Sequence, residues 1–183
     1  MNKKKVIVFL GDGFEECEGL LAVDLLRRAG CSVVTASVME SCEIVSSHGI
    51  HLQADQMAAN VDYLDADMLV LPGGIPGTYN LRDNKTVQEQ CVNFSKGKYL
   101  AAICAAPSVL AGLGLLEGKK ATCHPAFEDQ MSGAVLTGES VVVSGNIITG
   151  QGLGAGIEFA LKLVSILVDQ ETADKIAEGI CWR

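Results

Sequence analysis

The sequence predicts an α/β fold in which a mainly parallel, doubly wound sheet carries helices on both faces. Three observations lead there. Short apolar, β-branched runs alternate with segments of helical length, the pattern of successive βαβ units. Several of the runs stop at glycine, as Lys5–Leu10 does at Gly11-Asp12-Gly13 and Met68–Leu71 at Pro72-Gly73-Gly74. The composition, 49% hydrophobic but 5% aromatic with 20 glycines in 183 residues, suits buried strands joined by tight turns.

In order, Lys5–Leu10 is a first strand and Phe14–Ala29 a helix closed by Gly30, a typical residue just past a helix end. Cys31–Val38 is a second strand, and Glu40–Gln53 reads as a small hairpin on the sheet edge. Met68–Leu71 is a buried strand, Asn84–Lys96 a helix, Tyr99–Ile103 a strand and Ala105–Leu110 the first turns of a helix, with Pro107 near its start. Ala121–Cys123 is a short strand before His124-Pro125. Val141–Ser144 and Ile147–Thr149 flank Gly145-Asn146, a hairpin signal. Ala155–Val168 is a strongly apolar helix and Glu171–Glu178 a last one. With no linker, repeat or low-complexity segment, residues 1–183 read as a single domain.

Several function classes are disfavoured. A net charge of −8 argues against a nucleic-acid backbone as partner. No segment reaches the ~18 apolar residues of a membrane span, and the basic start has too short an apolar run for a signal peptide. Seven cysteines, an odd number with no CxxC pair, fit a reducing cytoplasm better than a disulfide framework. No cysteine–histidine cluster has zinc spacing, so no metal is expected. Gly11-Asp12-Gly13 invites a dinucleotide reading, but the position of the third glycine holds Glu16, and Glu15, Glu16 and Glu18 would repel a pyrophosphate. The glycines at 150, 152, 154 and 156 also miss the fingerprint and more simply permit a tight strand-to-helix turn.

Cys104 is the centre of the candidate chemistry. It stands between a strand and a helix, where a sharp turn strains the corner residue and lifts its side chain clear of the sheet. A helix N-terminus favours an anion, so a thiol there is expected to be partly thiolate near neutral pH. Glu15 and Glu18 are three residues apart on one helix face; two carboxylates so placed do not both ionise readily, and one pKa should rise. A raised-pKa glutamate beside a thiolate can donate a hydrogen bond and move a proton. The first βα turn and the Cys104 corner both open at the carboxyl ends of strands, where they can meet. His124, at a strand's end, is a candidate partner for the sulfur. His48 and His51 fall in the edge hairpin and read as surface or rim residues.

With Glu15-Glu16-x-Glu18, Leu71-Pro-Gly-Gly74, Ala101–Pro107 and His124-Pro125 in this order, the chain resembles the ThiJ/PfpI superfamily. Within it, the chain is similar to the branch of the parkinsonism-associated protein deglycase and its bacterial relatives, a resemblance that includes Val23–Gly30, Arg82–Val87 and Glu158–Leu161 and runs nearly end to end. The resemblance implies a flavodoxin-like three-layer sandwich, as in class I glutaminases, and a homodimer packed through the first helix. It implies Cys104 as the reactive cysteine, Glu18 as the protonated glutamate bonded to its sulfur and His124 as the neighbouring histidine. Gly74 and Ala105 would supply the oxyanion-hole N–H groups. Glu15 would be a pocket carboxylate, Asp24 an acid that approaches the histidine across the dimer interface, and Arg28 another interface residue. The chain departs from the family at His48, where an arginine is common, and at Ile75, where some members are polar. Cys17 and Cys123 flank the implied site residues, and Cys17 is expected near the dimer axis.

The expected function is that of a cofactor-independent cysteine enzyme acting on 2-oxoaldehydes or their early adducts, of glyoxalase III or deglycase type, with reactive carbonyls or glycated groups as its partners. The alternative is a non-catalytic oxidative-stress sensor or chaperone that uses an oxidisable Cys104. An amidase or peptidase activity, as in other branches, is a third reading.

Overall fold

The computed structural model describes residues 3–182. The chain runs β1 (Lys5–Leu10), α1 (Glu16–Arg28), β2 (Ser32–Ser37), β3 (Glu43–Val45), β4 (His51–Gln53), β5 (Gln56–Met57), β6 (Met68–Leu71), α2 (Gly77–Asp83), α3 (Lys85–Phe94), β7 (Tyr99–Ile103), α4 (Pro107–Gly112), β8 (Lys120–Ala121), β9 (Val135–Leu136), β10 (Val141–Ser144), β11 (Ile147–Gly150), α5 (Gly156–Leu167) and α6 (Gln170–Gly179). Single 3-10 turns cover Ala58–Asn60, Pro125–Gln130 and Leu153–Ala155.

Seven strands form the main sheet in the order β10-β11-β7-β6-β1-β2-β5. Every neighbouring pair is parallel except β10 with β11, whose hairpin turns at Gly145 with φ +63°. The two-residue period of a strand explains the layers. Along β1, Val6, Val8 and Leu10 enter one cluster, which they share with Leu25 and Leu26 of α1 and Phe159, Leu163 and Val164 of α5. Ile7 and Phe9 enter the other, with Val87 and Phe94 of α3 and Val109 and Leu110 of α4. Fully burying each such side chain contributes about 1.5–3 kcal/mol, so a sheet covered on both faces is the stable solution and the three-layer sandwich follows. No described helix is long and apolar enough to cross a membrane.

The differences from expectation concern short elements. The Glu40–Gln53 hairpin does not extend the main sheet: β3 and β4 pair with each other alone, and the edge belongs to the two-residue β5. The hairpin instead docks on the start of α1, where Gly13 N–H donates to Val45 O (2.7 Å), Val45 N–H to Asp12 Oδ1 (2.9 Å) and Ser47 N–H to Phe14 O (2.8 Å). The strand expected over Ala121–Cys123 begins earlier, as β8, and pairs with β9 away from the main sheet. The seven-residue α2, capped at Pro76 and beginning at Gly77, was not expected.

Candidate active site

The candidate site is built at the carboxyl ends of β6 and β7. All of β7 after Tyr99 is buried, which fixes the strand. The Cys104 N–H then donates to Gly150 O at the end of β11 (2.9 Å), and α4 begins three residues later with Pro107 in its first turn. Between these anchors Cys104 is held at φ +63°. That region is strained for a residue with a Cβ, at a cost of about 1–3 kcal/mol that the surrounding structure must hold. The side chain is thereby turned into a cleft, half-buried, where the N–H groups of Ala105 and Gly74 favour a charge on its sulfur.

Glu18 reaches the same point from the first turn of α1. That helix starts where it does because the Glu15 carboxylate caps it, accepting the Glu18 N–H at 2.7 Å. The Glu18 side chain is 2% exposed. Its Oε2 accepts the Gly73 N–H (3.0 Å), while Oε1 is buried without a partner of hydrogen-bonding geometry, although the carboxyl lies close enough to Cys104 for the two to interact. Gly73 makes this contact possible: a Cβ there would lie 2.7 Å from Cys104 Cβ and 2.7 Å from Glu18 Oε2. Gly74, at φ +88°, lets the loop pass the start of α1, since a Cβ would lie 2.3 Å from Glu15 N.

Burial, with the Glu15 carboxylate adding to it, raises the Glu18 carboxyl to about 7 against the pull of the neighbouring Cys104 thiol and the Gly73 N–H. Burial also pushes the Cys104 thiol up, to about 12, helped by the Glu18 charge and hydrogen bond and opposed by the Ala105 and Gly74 N–H groups. This corrects the expectation that the helix N-terminus alone makes the thiol acidic. α4 has six residues, and the nearest charge is a carboxylate. The acid and the thiol resist carrying two negative charges together, so a thiolate near neutral pH requires the proton to remain on Glu18. A neutral Glu18 then donates to the sulfur from the oxygen that lacks another partner.

His124 stands on the opposite wall. Its N–H donates to Cys104 O (2.9 Å), and its Nδ1 accepts the Ala126 N–H (3.2 Å), which assigns the ring proton to Nε2. Glu15, Glu18, Cys104 and His124 line one cleft, joined by Ser140, Gln151 and Leu153, which the sequence did not single out. Asp24 and Arg28 are not brought there. They lie on the exposed side of α1 and pair with each other at 2.8 Å. Cys123 is turned away from the cleft into the second core cluster, where burial raises its thiol to about 11. Cys17 is exposed on α1, its thiol raised by desolvation and by Glu15, Glu16 and Glu18.

His48 is exposed and does not line the cleft; its Nδ1 bonds Glu16 Oε1 at 2.7 Å. Burial opposes the Glu16 charge, but its own N–H together with Ser46, Ser47 and His48 outweighs that and holds the carboxyl at about 2. The sequence shows Glu16 only as part of an acidic crowd; its work is to clasp the hairpin tip to α1. Glu15, Glu16 and His48 bring one potential metal-ligand atom each within 4.8 Å of the others. Glu16 and His48 already bond each other, and the positive end of the α1 dipole works against a cation there.

Comparisons with known proteins find one family and one fold. The DJ-1/PfpI family model matches residues 4–166. Over 185 residues the chain is 36% identical to Protein DJ-1 homolog B of Arabidopsis thaliana, covering all of this chain but 42% of that protein, so it spans under half the length of that relative. It is 31% identical over 184 residues to a Caenorhabditis elegans protein named glutathione-independent glyoxalase DJR-1.2, covering 98% of this chain and 97% of that one. Among solved structures, oxidized Toxoplasma gondii DJ-1 superposes with a TM-score of 0.94 at 38% identity, covering 98% of each chain.

Proposed function

The chain belongs to the DJ-1/PfpI family, and from that premise we propose that it is a cofactor-independent cysteine enzyme that converts 2-oxoaldehydes, or their early adducts on amines and thiols, into 2-hydroxy acids. The observation that carries the reading is the strained Cys104 held between a buried, unpaired Glu18 oxygen and two backbone N–H groups. The Cys104 sulfur, as thiolate, adds to the aldehyde carbon of a compound such as methylglyoxal, and its electron pair forms the C–S bond. The Gly74 and Ala105 N–H groups then turn from the sulfur to the new alkoxide, each such donor contributing roughly 3 kcal/mol in comparable sites. Glu18 first gives its own proton to that alkoxide; as a carboxylate it then takes the proton of the former aldehyde carbon and returns it to the neighbouring carbonyl carbon, while the hydroxyl proton passes by way of His124 to the second oxygen, which leaves a thioester of the 2-hydroxy acid. Water cleaves the thioester, releasing lactate and restoring the thiol. The aldehyde carbon is oxidised and its neighbour reduced, so no external oxidant or reductant enters.

The test is lactate production from methylglyoxal by wild type and Cys104→Ser. Lactate from the wild type alone is expected; equal yields from both would remove the mechanism. The relative named as a glyoxalase supports this class of activity. A second reading, an oxidative-stress sensor, is favoured by the same pair: a neutral Glu18 and two N–H donors would also hold a Cys104 sulfinate, and the superposed Toxoplasma protein is described as oxidized. Graded peroxide with mass spectrometry separates the two, since a sensor without turnover would show stable Cys104 dioxidation and no lactate. We further propose a homodimer through α1, whose exposed side carries Leu20, Asp24 and Arg28, with Asp24 of one copy approaching His124 of the other. The free thiols suit the cytoplasm.

A further inference from the structure

The cleft around Cys104 carries charge of one sign. Its ionisable side chains are Glu15, Glu18, Cys104 and His124, and among the described residues no lysine or arginine lines it. The two arginines of α1 are engaged elsewhere, Arg28 with Asp24 at 2.8 Å and Arg27 with Asp55 at 3.1 Å, and His48 bonds Glu16 at 2.7 Å. On the facing wall the Ser140 hydroxyl donates to Glu158 (2.7 Å), a further carboxylate, and Gln151 offers an uncharged amide. The Glu15 carboxylate is half-buried, fixed by its bond to the Glu18 N–H, and its charge is felt at the Glu18 carboxyl, beside the sulfur. A compound that brings a second negative charge to Cys104 therefore meets repulsion that no lysine or arginine of the same chain lining the cleft offsets.

We propose that this cleft sorts carbonyl compounds by charge, the Glu15 carboxylate rejecting anionic ones and admitting neutral or cationic ones. Glyoxal and methylglyoxal are neutral and enter. Glyoxylate presents the same aldehyde carbon beside a carboxylate and is refused. An early adduct on a guanidinium group, which keeps its positive charge, is favoured. The inference rests on the cysteine–carbonyl reading for its natural substrates, but its test does not.

The test alkylates Cys104 with iodoacetamide, which is neutral, and iodoacetate, which is anionic. In both the sulfur displaces iodide and no other reactant is needed. Rates are read on the Cys104 peptide by mass spectrometry and compared with the same peptide in the denatured chain. The amide-to-acetate rate ratio in the folded wild type is expected to exceed the denatured ratio by about tenfold, equivalent to ~1.4 kcal/mol. Glu15→Gln, which keeps an oxygen for the α1 cap, should bring it within about threefold of the denatured ratio. Any effect of that change on Glu18 acidity alters both rates alike and leaves the ratio untouched. Gln151→Lys should lower the ratio and Gln151→Glu should raise it, and these variants carry the test should Glu15→Gln fail to fold. A wild-type ratio equal to the denatured one, or a ratio insensitive to charge at 15 and 151, overturns the proposal. Glyoxal and glyoxylate turnover is measured alongside. Charge-selective alkylation without any turnover would sink the enzymatic reading and leave the charge selection standing.

Discussion

Glu18→Gln gives a stability change whose sign depends on a buried proton. In the folded chain the carboxyl is raised from its ordinary value of 4.5 to about 7. Between those values the folded state binds a proton that the unfolded state has lost, so stability is fully present below pH ~4.5 and declines as pH rises through 7. From pH 5 to pH 8 the two titrations differ by about 1.8 units, or about 2.5 kcal/mol at 1.36 kcal/mol per unit. This figure counts the protons bound by the Glu18–Cys104 pair and holds whichever partner carries them. A glutamine has the same shape and never ionises. The Glu18→Gln chain should therefore gain about 2.5 kcal/mol on the wild type between pH 5 and pH 8. Urea unfolding of both proteins at the two pH values, each also as Cys104→Ser, measures this, and the double difference cancels the titrating groups that are not coupled to Glu18. A difference that is flat with pH, or that favours the wild type at pH 8, would refute the argument that burial keeps this acid neutral.

Other consequences follow from single contacts. Gly73→Ala places a methyl 2.7 Å from Cys104 Cβ and Glu18 Oε2; it should cost about 1–3 kcal/mol of stability and abolish lactate formation, checked by denaturation and turnover on one preparation. Glu16→Gln should destabilise the chain at pH 7 by weakening the bonds to Ser46, Ser47 and His48. Because that carboxyl is held at about 2, its contribution is present above pH ~4.5 and lost as pH falls toward 2, so melting curves of variant and wild type should converge in acid. Leu20→Glu on the exposed side of α1 should yield a monomer by light scattering where the wild type has the mass of two chains; an unchanged mass would exclude α1 as the contact.

The long elements were legible because each is specified locally. β1 is a run of apolar residues buried on both faces, and α1 begins at a capping glutamate and ends before a glycine at φ +81°. The corner at Cys104 was legible for the same reason: strand, cysteine, small residues and proline are contiguous. β5 and β9, two residues each, and α2 were not, because their formation depends on neighbours remote in sequence. In the site, spacing placed Glu15 and Glu18 on one face but could not show that Glu15 caps the helix while Glu18 is buried. Gly73 and Gly74 read as one turn; only the packing shows that the first makes room for sulfur and carboxyl and the second for the start of α1. The helix N-terminus beside Cys104 is visible in sequence, whereas the burial beside a carboxylate that makes the thiol's acidity depend on the Glu18 proton is not.

The proposed mechanism requires that the Glu18–Cys104 pair carry one negative charge near neutral pH and that this charge reside on sulfur, against the burial and the Glu18 charge that raise the thiol. Thiolate absorbance near 240 nm, taken as the difference between wild type and Cys104→Ser across pH 4 to 11, tests it most directly. The account predicts that the Cys104 thiolate appears with a midpoint at or below pH ~7, Glu18 keeping its proton. Absorbance that rises only above pH ~10 would contradict it, placing the charge on the glutamate and leaving the sulfur a buried, inert thiol.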